Sequence, residues 1–175
     1  MRHRPVVLLT GFGPFPGVPV NVSGHLVPEL AAIAARAFPA FRFEPHVLAT
    51  EWVSAPLRAR ALYHELRTAA AIHFGVSSRA RGFEIETRGV NRVGTNADAC
   101  GDTAAAPCLS PDGPPALQSR LPVTVILDRL RRRGIPAVLS RDAGSYLCNA
   151  LLYHGVDHCR RSSDAAQAAM RSGFI

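Results

Sequence analysis

The chain has 175 residues, 47% hydrophobic and 19% charged. That is enough for a single domain over 1–175 with a real core, and too apolar and too sparsely charged for a mainly disordered chain. Its 20 basic residues, all arginine, outnumber 13 acidic ones by seven. They cluster only at 131–133 and 160–161, with no aromatics between them, so no nucleic acid partner is expected. No apolar run approaches the roughly 20 residues that cross a bilayer, so no membrane partner is expected either.

In chain order, the N-terminus carries Arg2 and Arg4, but only a short apolar run follows before Thr10. No export signal is read there, and a cytoplasmic location is expected. Residues 6–9 are apolar and bounded by glycine and proline, which predicts a buried strand. Asn21 can cap a helix over Val22–Ala37 with Leu26, Leu30, Ile33 and Ala34 inward. Residues 41–48 alternate as a strand. Ser54, with Pro56 in the first turn, starts a helix running to about Ala70. Residues 72–76 and 83–91 predict two further strands. Residues 96–119, rich in Gly, Pro, Ala and Asp, predict a long irregular excursion of the functional or mobile kind. Val123, Ile126, Leu127 and Leu130 follow i, i+3, i+4, i+7, an amphipathic helix whose closing arginines suit its dipole. Residues 137–140 predict a strand, 145–154 a helix and 163–170 another. Strands alternating with helices define an α/β class with a mostly parallel sheet.

Ligands of such folds gather at the carboxyl ends of strands, which directs attention to residues 10–17, 84–91 and 140–148. The first exit fails as a dinucleotide loop, because Pro16 stands where the third glycine of G-x-G-x-x-G belongs, and no Gly-Lys-Ser/Thr follows. It displays Phe12 and Phe15, either as core residues or as the walls of a slot for a small ring. The third exit runs through small residues into a helix whose first turns hold Cys148. A helix N-terminus favours thiolate, and its free amides can stabilise an oxyanion; an inert buried cysteine is the ordinary alternative. Cys100, Cys108 and Cys159 form no C-x-x-C pair with it or each other, so neither a metal site nor a cofactor is expected. Glu84 and Glu86, two apart on a strand, share a face and are candidate carboxylates. His154 and His158 follow Cys148 in sequence, which does not bring them to its sulfur.

Taken together, these segments resemble the pyroglutamyl peptidase I family of cysteine peptidases. Thr10-Gly11-Phe12…Pro14-Phe15…Asn21 is similar to the family's T-G-F-x-P-F opening, and Ser140-x-x-Ala143-Gly144-x-Tyr146-x-Cys148-Asn149…Tyr153 to its S-x-x-A-G-x-Y-x-C-N-x-x-x-Y signature. The resemblance implies a three-layer α/β/α sandwich and removal of N-terminal pyroglutamyl residues from peptides through a thioacyl intermediate. It implies Cys148 as nucleophile, Glu86 as the acidic member with Asn91 five residues on, and Phe12, Phe15, Asn21 and Val76 as substrate contacts. It further implies a homo-oligomer, tetrameric in bacterial members. Departures from the family pattern fall at Thr87, at the segment 77–81 and at Asn96, where the family carries arginine or a G-G-R turn. The family's base histidine directly follows its G-F-I segment. Here Gly173-Phe174-Ile175 are the last residues, and none of the seven histidines matches. Severely reduced turnover is therefore expected for these 175 residues, the alternative being a catalytically silent protein that binds pyroglutamyl ends or related lactams.

Overall fold

The first helix begins where Asn21, in extended backbone, turns its side-chain oxygen onto the Ser23 amide at 3.2 Å. The computed structural model describes residues 4–175; Met1, Arg2 and His3, part of the stretch searched for an export signal, lie outside the described residues. α1 (Val22–Ala37) links β1 (Val6–Phe12) to its parallel neighbour β2 (Arg42–Leu48). α2 (Ser54–Glu65) then crosses to β3 (Thr68–His73), which pairs in parallel with the other edge of β1. The chain continues through β4 (Phe83–Glu86), β5 (Arg88–Val90), β6 (Ala116–Gln118), α3 (Val123–Arg132) and β7 (Ala137–Ser140). It ends with α4 (Leu147–Arg161), α5 (Ala165–Ala169) and β8 (Arg171–Phe174).

The central sheet has the order β2-β1-β3-β8, all parallel; β4 and β7 form a parallel pair beside β8, and β5 and β6 an antiparallel pair. Alternation along the strands divides the core between two faces. Leu8 and Ala71 meet Ala59 and Leu62 of α2 and Leu151 of α4 on one face. Leu9, Ile72 and Phe43 meet Val27 and Ala31 of α1 on the other. The architecture is the expected α/β sandwich around a mostly parallel sheet.

Four local expectations are corrected. β1 runs on to Phe12 instead of stopping at residue 9, because Gly11 lets the N-terminus of α1 come close; a Cβ there would collide with the Ser23 carbonyl. α1 turns Ser23, Val27 and Ala31 inward, leaves Leu26 and Leu30 half-buried, and leaves Ile33 56% exposed. α2 ends at Glu65, and the alanine-rich segment after it is strand β3, because its pairing with β1 outweighs helix propensity. Residues 83–91 form two strands, broken at Thr87. There the amide and hydroxyl both donate to the Ser140 carbonyl, at 2.8 and 2.7 Å.

The same Asn21 carboxamide accepts from the Ser23 hydroxyl at 2.8 Å and donates to the Gly13 carbonyl at 3.0 Å, joining the first strand exit to the helix. Replacing Asn21 by alanine removes a cap and leaves buried groups unpaired, so the chain should lose about 1–2 kcal/mol of stability, measured by urea unfolding.

Candidate active site

The carboxyl ends of β3, β4, β7 and β8 open onto one cavity of about 1060 Å³. Each contributes at its last residue or just beyond: Gly75 and Val76 after β3, Glu86 closing β4, Ser140 closing β7, and Phe174 with Ile175 at β8. Cys148, the second residue of α4, completes the set. Backbone bonds tie the rim together: Ile175 N donates to His73 O at 2.9 Å, and Gly75 N to Ile175 O at 3.2 Å. Gly75 has no room for a side chain. A Cβ would lie 2.7 Å from the Phe174 ring and 3.0 Å from Cys148 Sγ, which sets sulfur, ring and turn in contact.

Glu86 is only 6% exposed, and its Oε2 has no hydrogen-bond partner. Burial raises its carboxyl to about pKa 7, the Ser140 hydroxyl opposes this, and the charges of Glu84 and Asp142 add to it. The Cys148 thiol is pushed up to about 12, first by burial and then by the Glu86 charge; its own amide acts in the opposite direction. The N-terminus of α4 therefore favours thiolate as its position predicts, but desolvation and the nearby carboxylate outweigh it. Lowering this thiol requires a cation facing it; the cations of the lining are Arg79 and Arg81, and among the described residues no histidine lines the cavity. His73 lies within the sheet, its ring nitrogens 2.7 Å from Thr10 Oγ1 and 2.8 Å from the Tyr63 hydroxyl, and burial holds it down at about 4. His154 and His158 line a different cavity.

Of the residues singled out from sequence, Cys148, Glu86 and Val76 share the cavity lining, and Glu84 does too. Phe12, Phe15 and Asn21 are outside that lining. Phe12 is buried, its ring 6.4 Å from that of Phe174. Phe15 packs on Tyr146 at 5.9 Å. Asn21 caps α1. Tyr146, Gly75, Phe174 and Asn96 are cavity residues that were not assigned a place from sequence. Their signal was position: each adjoins a strand exit or the cysteine motif. Two motif asparagines build the surroundings. Asn149 accepts from Val90 N and donates to the carbonyls of Val90 and Arg92, locking α4 to β5. Asn91 accepts from Leu109 N and Ser110 N and so orders the long excursion.

Fold and cavity together define an α/β protein with a half-buried cysteine and a buried carboxylate at the ends of parallel strands. Comparison with known proteins narrows that class. The pyroglutamyl peptidase family model matches residues 5–175, and the chain belongs to that family. It is 32% identical over 170 residues to the pyrrolidone-carboxylate peptidase of Pyrococcus furiosus, covering 97% of this chain and 78% of the relative. The Bacillus subtilis pyrrolidone-carboxylate peptidase is 31% identical, with 98% of this chain and 77% of the relative covered. The crystal structure of pyroglutamyl peptidase I from Bacillus amyloliquefaciens superposes with a TM-score of 0.88 at 28% identity, over 98% of this chain and 80% of that one.

Because burial raises the Glu86 carboxyl, its stabilising contribution is complete below about pH 4.5 and is lost as pH rises through about 7. Glu86→Gln should flatten that decline and stabilise the chain at pH 8 by roughly 2 kcal/mol after solvent screening. Loss of the carboxylate charge should also move Cys148 alkylation by iodoacetamide to lower pH, since that charge raises the thiol. Denaturant melts from pH 4 to 8 and alkylation rates measure both effects.

Proposed function

We propose that the chain is a cysteine peptidase-type hydrolase that removes pyroglutamate from the N-terminus of peptides, residues 1–175 acting as one unit. The observation that carries this reading is the convergence of Cys148 and Glu86 on one cavity, in a chain of the pyroglutamyl peptidase family. Cys148 Sγ attacks the pyroglutamyl carbonyl carbon, the C–N bond to the next residue breaks, and the leaving amine takes a proton. Water then cleaves the thioester, releasing pyroglutamate and restoring the thiol. The first amides of α4, which have no partner within the helix, are oriented to take the developing oxyanion. Phe174 and Val76 supply apolar wall for the lactam ring, with Phe12 behind Phe174.

The role left for Glu86 is to orient and charge-balance an imidazole base, which suits a buried carboxylate with one free oxygen. In the family that base directly follows the G-F-I segment, and Phe174 and Ile175 of this segment line the cavity. No helix among the described residues is long and apolar enough to cross a membrane. All four cysteines are unpaired, which suits a reducing compartment such as the cytoplasm. Exposed apolar side chains such as Phe38 and Ile33 offer surface for a homo-oligomer, a tetramer by family resemblance.

A thiol pushed up to about 12 with no described histidine on the cavity favours a second reading for these 175 residues, a lactam-binding protein without turnover. The two readings separate on a fluorogenic pyroglutamyl amide. A polypeptide of residues 1–175 should turn over about 10⁴-fold or more slowly than the same polypeptide with histidine added after Ile175. Cys148→Ser should abolish turnover in the extended form. Measurable and equal turnover with and without the added histidine would place the base elsewhere, and no turnover in either form would favour the binding protein.

A further inference from the structure

On the face of the sheet that carries α2 and α4, these two helices enclose a second cavity of about 480 Å³, a size typical of small-molecule sites. One side is apolar, made by Trp52, Leu57 and Leu151. The other is basic: Arg60 and His64 come from α2, His154 and His158 from α4.

The hydrogen bonding leaves this basic side unmatched. The one carboxylate in the lining is Asp157, and both of its oxygens are occupied. Arg160 Nε donates to Oδ1 at 2.9 Å and Arg161 Nε to Oδ2 at 2.7 Å. Arg60 forms no ion pair with the described residues. The His64 and His158 rings stand edge to face with centroids 4.9 Å apart. Gln167 Nε2 donates to the Tyr63 carbonyl at 3.2 Å, so its Oε1, 2.9 Å from His158 Nε2, is an acceptor, and His158 carries its proton on Nε2. Its Nδ1 is left without a protein partner among these bonds. The carboxyl ends of α2 and α4 contribute about half a negative charge each, which accommodates one cation but engages none of the five Arg60 donors.

We propose that this cavity binds a small organic oxyanion, a carboxylate or phosphate monoester with an apolar body. The Arg60 fork and a protonated imidazole hold the anion, and Trp52 and Leu57 take the body. The forked guanidinium matches either oxyanion. The groups facing the imidazoles are Arg60, His64 and Tyr63 from α2, Asp157 and Arg161 from α4, and Gln167 from α5. Burial lowers both His154 and His158. Asp157 opposes this for His154 and Gln167 for His158, while Arg60 lowers both. Burial and Arg60 thus hold His154 and His158 toward the neutral form in the empty site. An anion brought among them reverses that balance, so binding takes up protons and strengthens as pH falls.

Trp52 is the chain's single tryptophan, and it sits edge-on to Tyr146 at 5.1 Å. As a lining residue it reports on this cavity by fluorescence, and because Tyr146 lines the first cavity, loss of the response in Arg60→Gln assigns it to this one. The test is titration of the protein with phenyl phosphate and with benzoate, against chloride at matched ionic strength, followed by Trp52 fluorescence and calorimetry. At least one aryl anion should saturate where chloride does not, and the tighter of the two assigns the head group as phosphate or carboxylate. Benzoate keeps a constant charge between pH 6 and 8, so its affinity isolates the histidines. It should rise on going to pH 6, by up to about tenfold per pH unit for each proton taken up. Arg60→Gln, an exposed substitution, should weaken binding at least tenfold without changing the melting curve, and His154→Gln should blunt the pH dependence. Absence of saturation by either anion, an equal response to chloride, unchanged affinity in Arg60→Gln, or the same benzoate affinity at pH 6 and 8 would overturn the proposal.

Discussion

Glu86 is buried and Cys148 half-buried within electrostatic reach of it, and the chemistry at the strand ends follows from that constraint. Burial raises both groups, and the Glu86 charge raises the thiol further, so the pair rests as a thiol beside a carboxyl poised near neutrality. A cation beside them would oppose both shifts together, because it favours the carboxylate and the thiolate alike. The free Oε2 of Glu86 is the acceptor left open for such a partner. An imidazole placed between the two would be driven toward a thiolate–imidazolium pair.

The scaffold serves that pair by bringing distant segments to one edge. β1 pairs with β2 on one side and β3 on the other, so the chain reverses its direction of growth across the sheet, and parallel strands direct their carboxyl ends to the same side. The polar residues of the cysteine and glutamate motifs are spent largely on construction. Asn149 fastens α4 to β5, and Asn91 gathers the loop around Ser110. Asp98, buried, accepts from Trp52 N at 3.0 Å, Cys100 N at 2.9 Å and Asp102 N at 3.0 Å. The Trp52 indole N–H in turn donates to Asn96 O at 3.0 Å, holding the segment that supplies Asn96 to the cavity wall.

Much of this was legible in the sequence, because it depends on local chemistry. The Asn21 cap, the bounds of α1, the short strand β7 and the placement of Cys148 in the first turn of α4 all follow from nearest-neighbour patterns. What sequence missed depends on partners far along the chain. Residues 68–70 read as helix, yet they open strand β3, where Thr68 is 1% exposed beside β1. The break at Thr87 exists because β4 and β5 find different partners, one parallel and one antiparallel. The thiol was read from its helix position alone, and the opposing influences come from the surrounding burial and from Glu86 on another strand. Phe12 reads as either core or slot from sequence, and its packing against Phe174 depends on the last strand.

The most direct measurement is the site of acylation by an activated pyroglutamyl ester, read by intact mass and then by peptide mapping. Such an ester needs little help from a base, so it reports on the nucleophile and its cavity alone. A single pyroglutamyl group carried on the peptide containing Cys148, and absent after prior alkylation of that sulfur, is the predicted result. Label on another residue, or no label while Cys148 remains open to alkylation, would contradict the assignment.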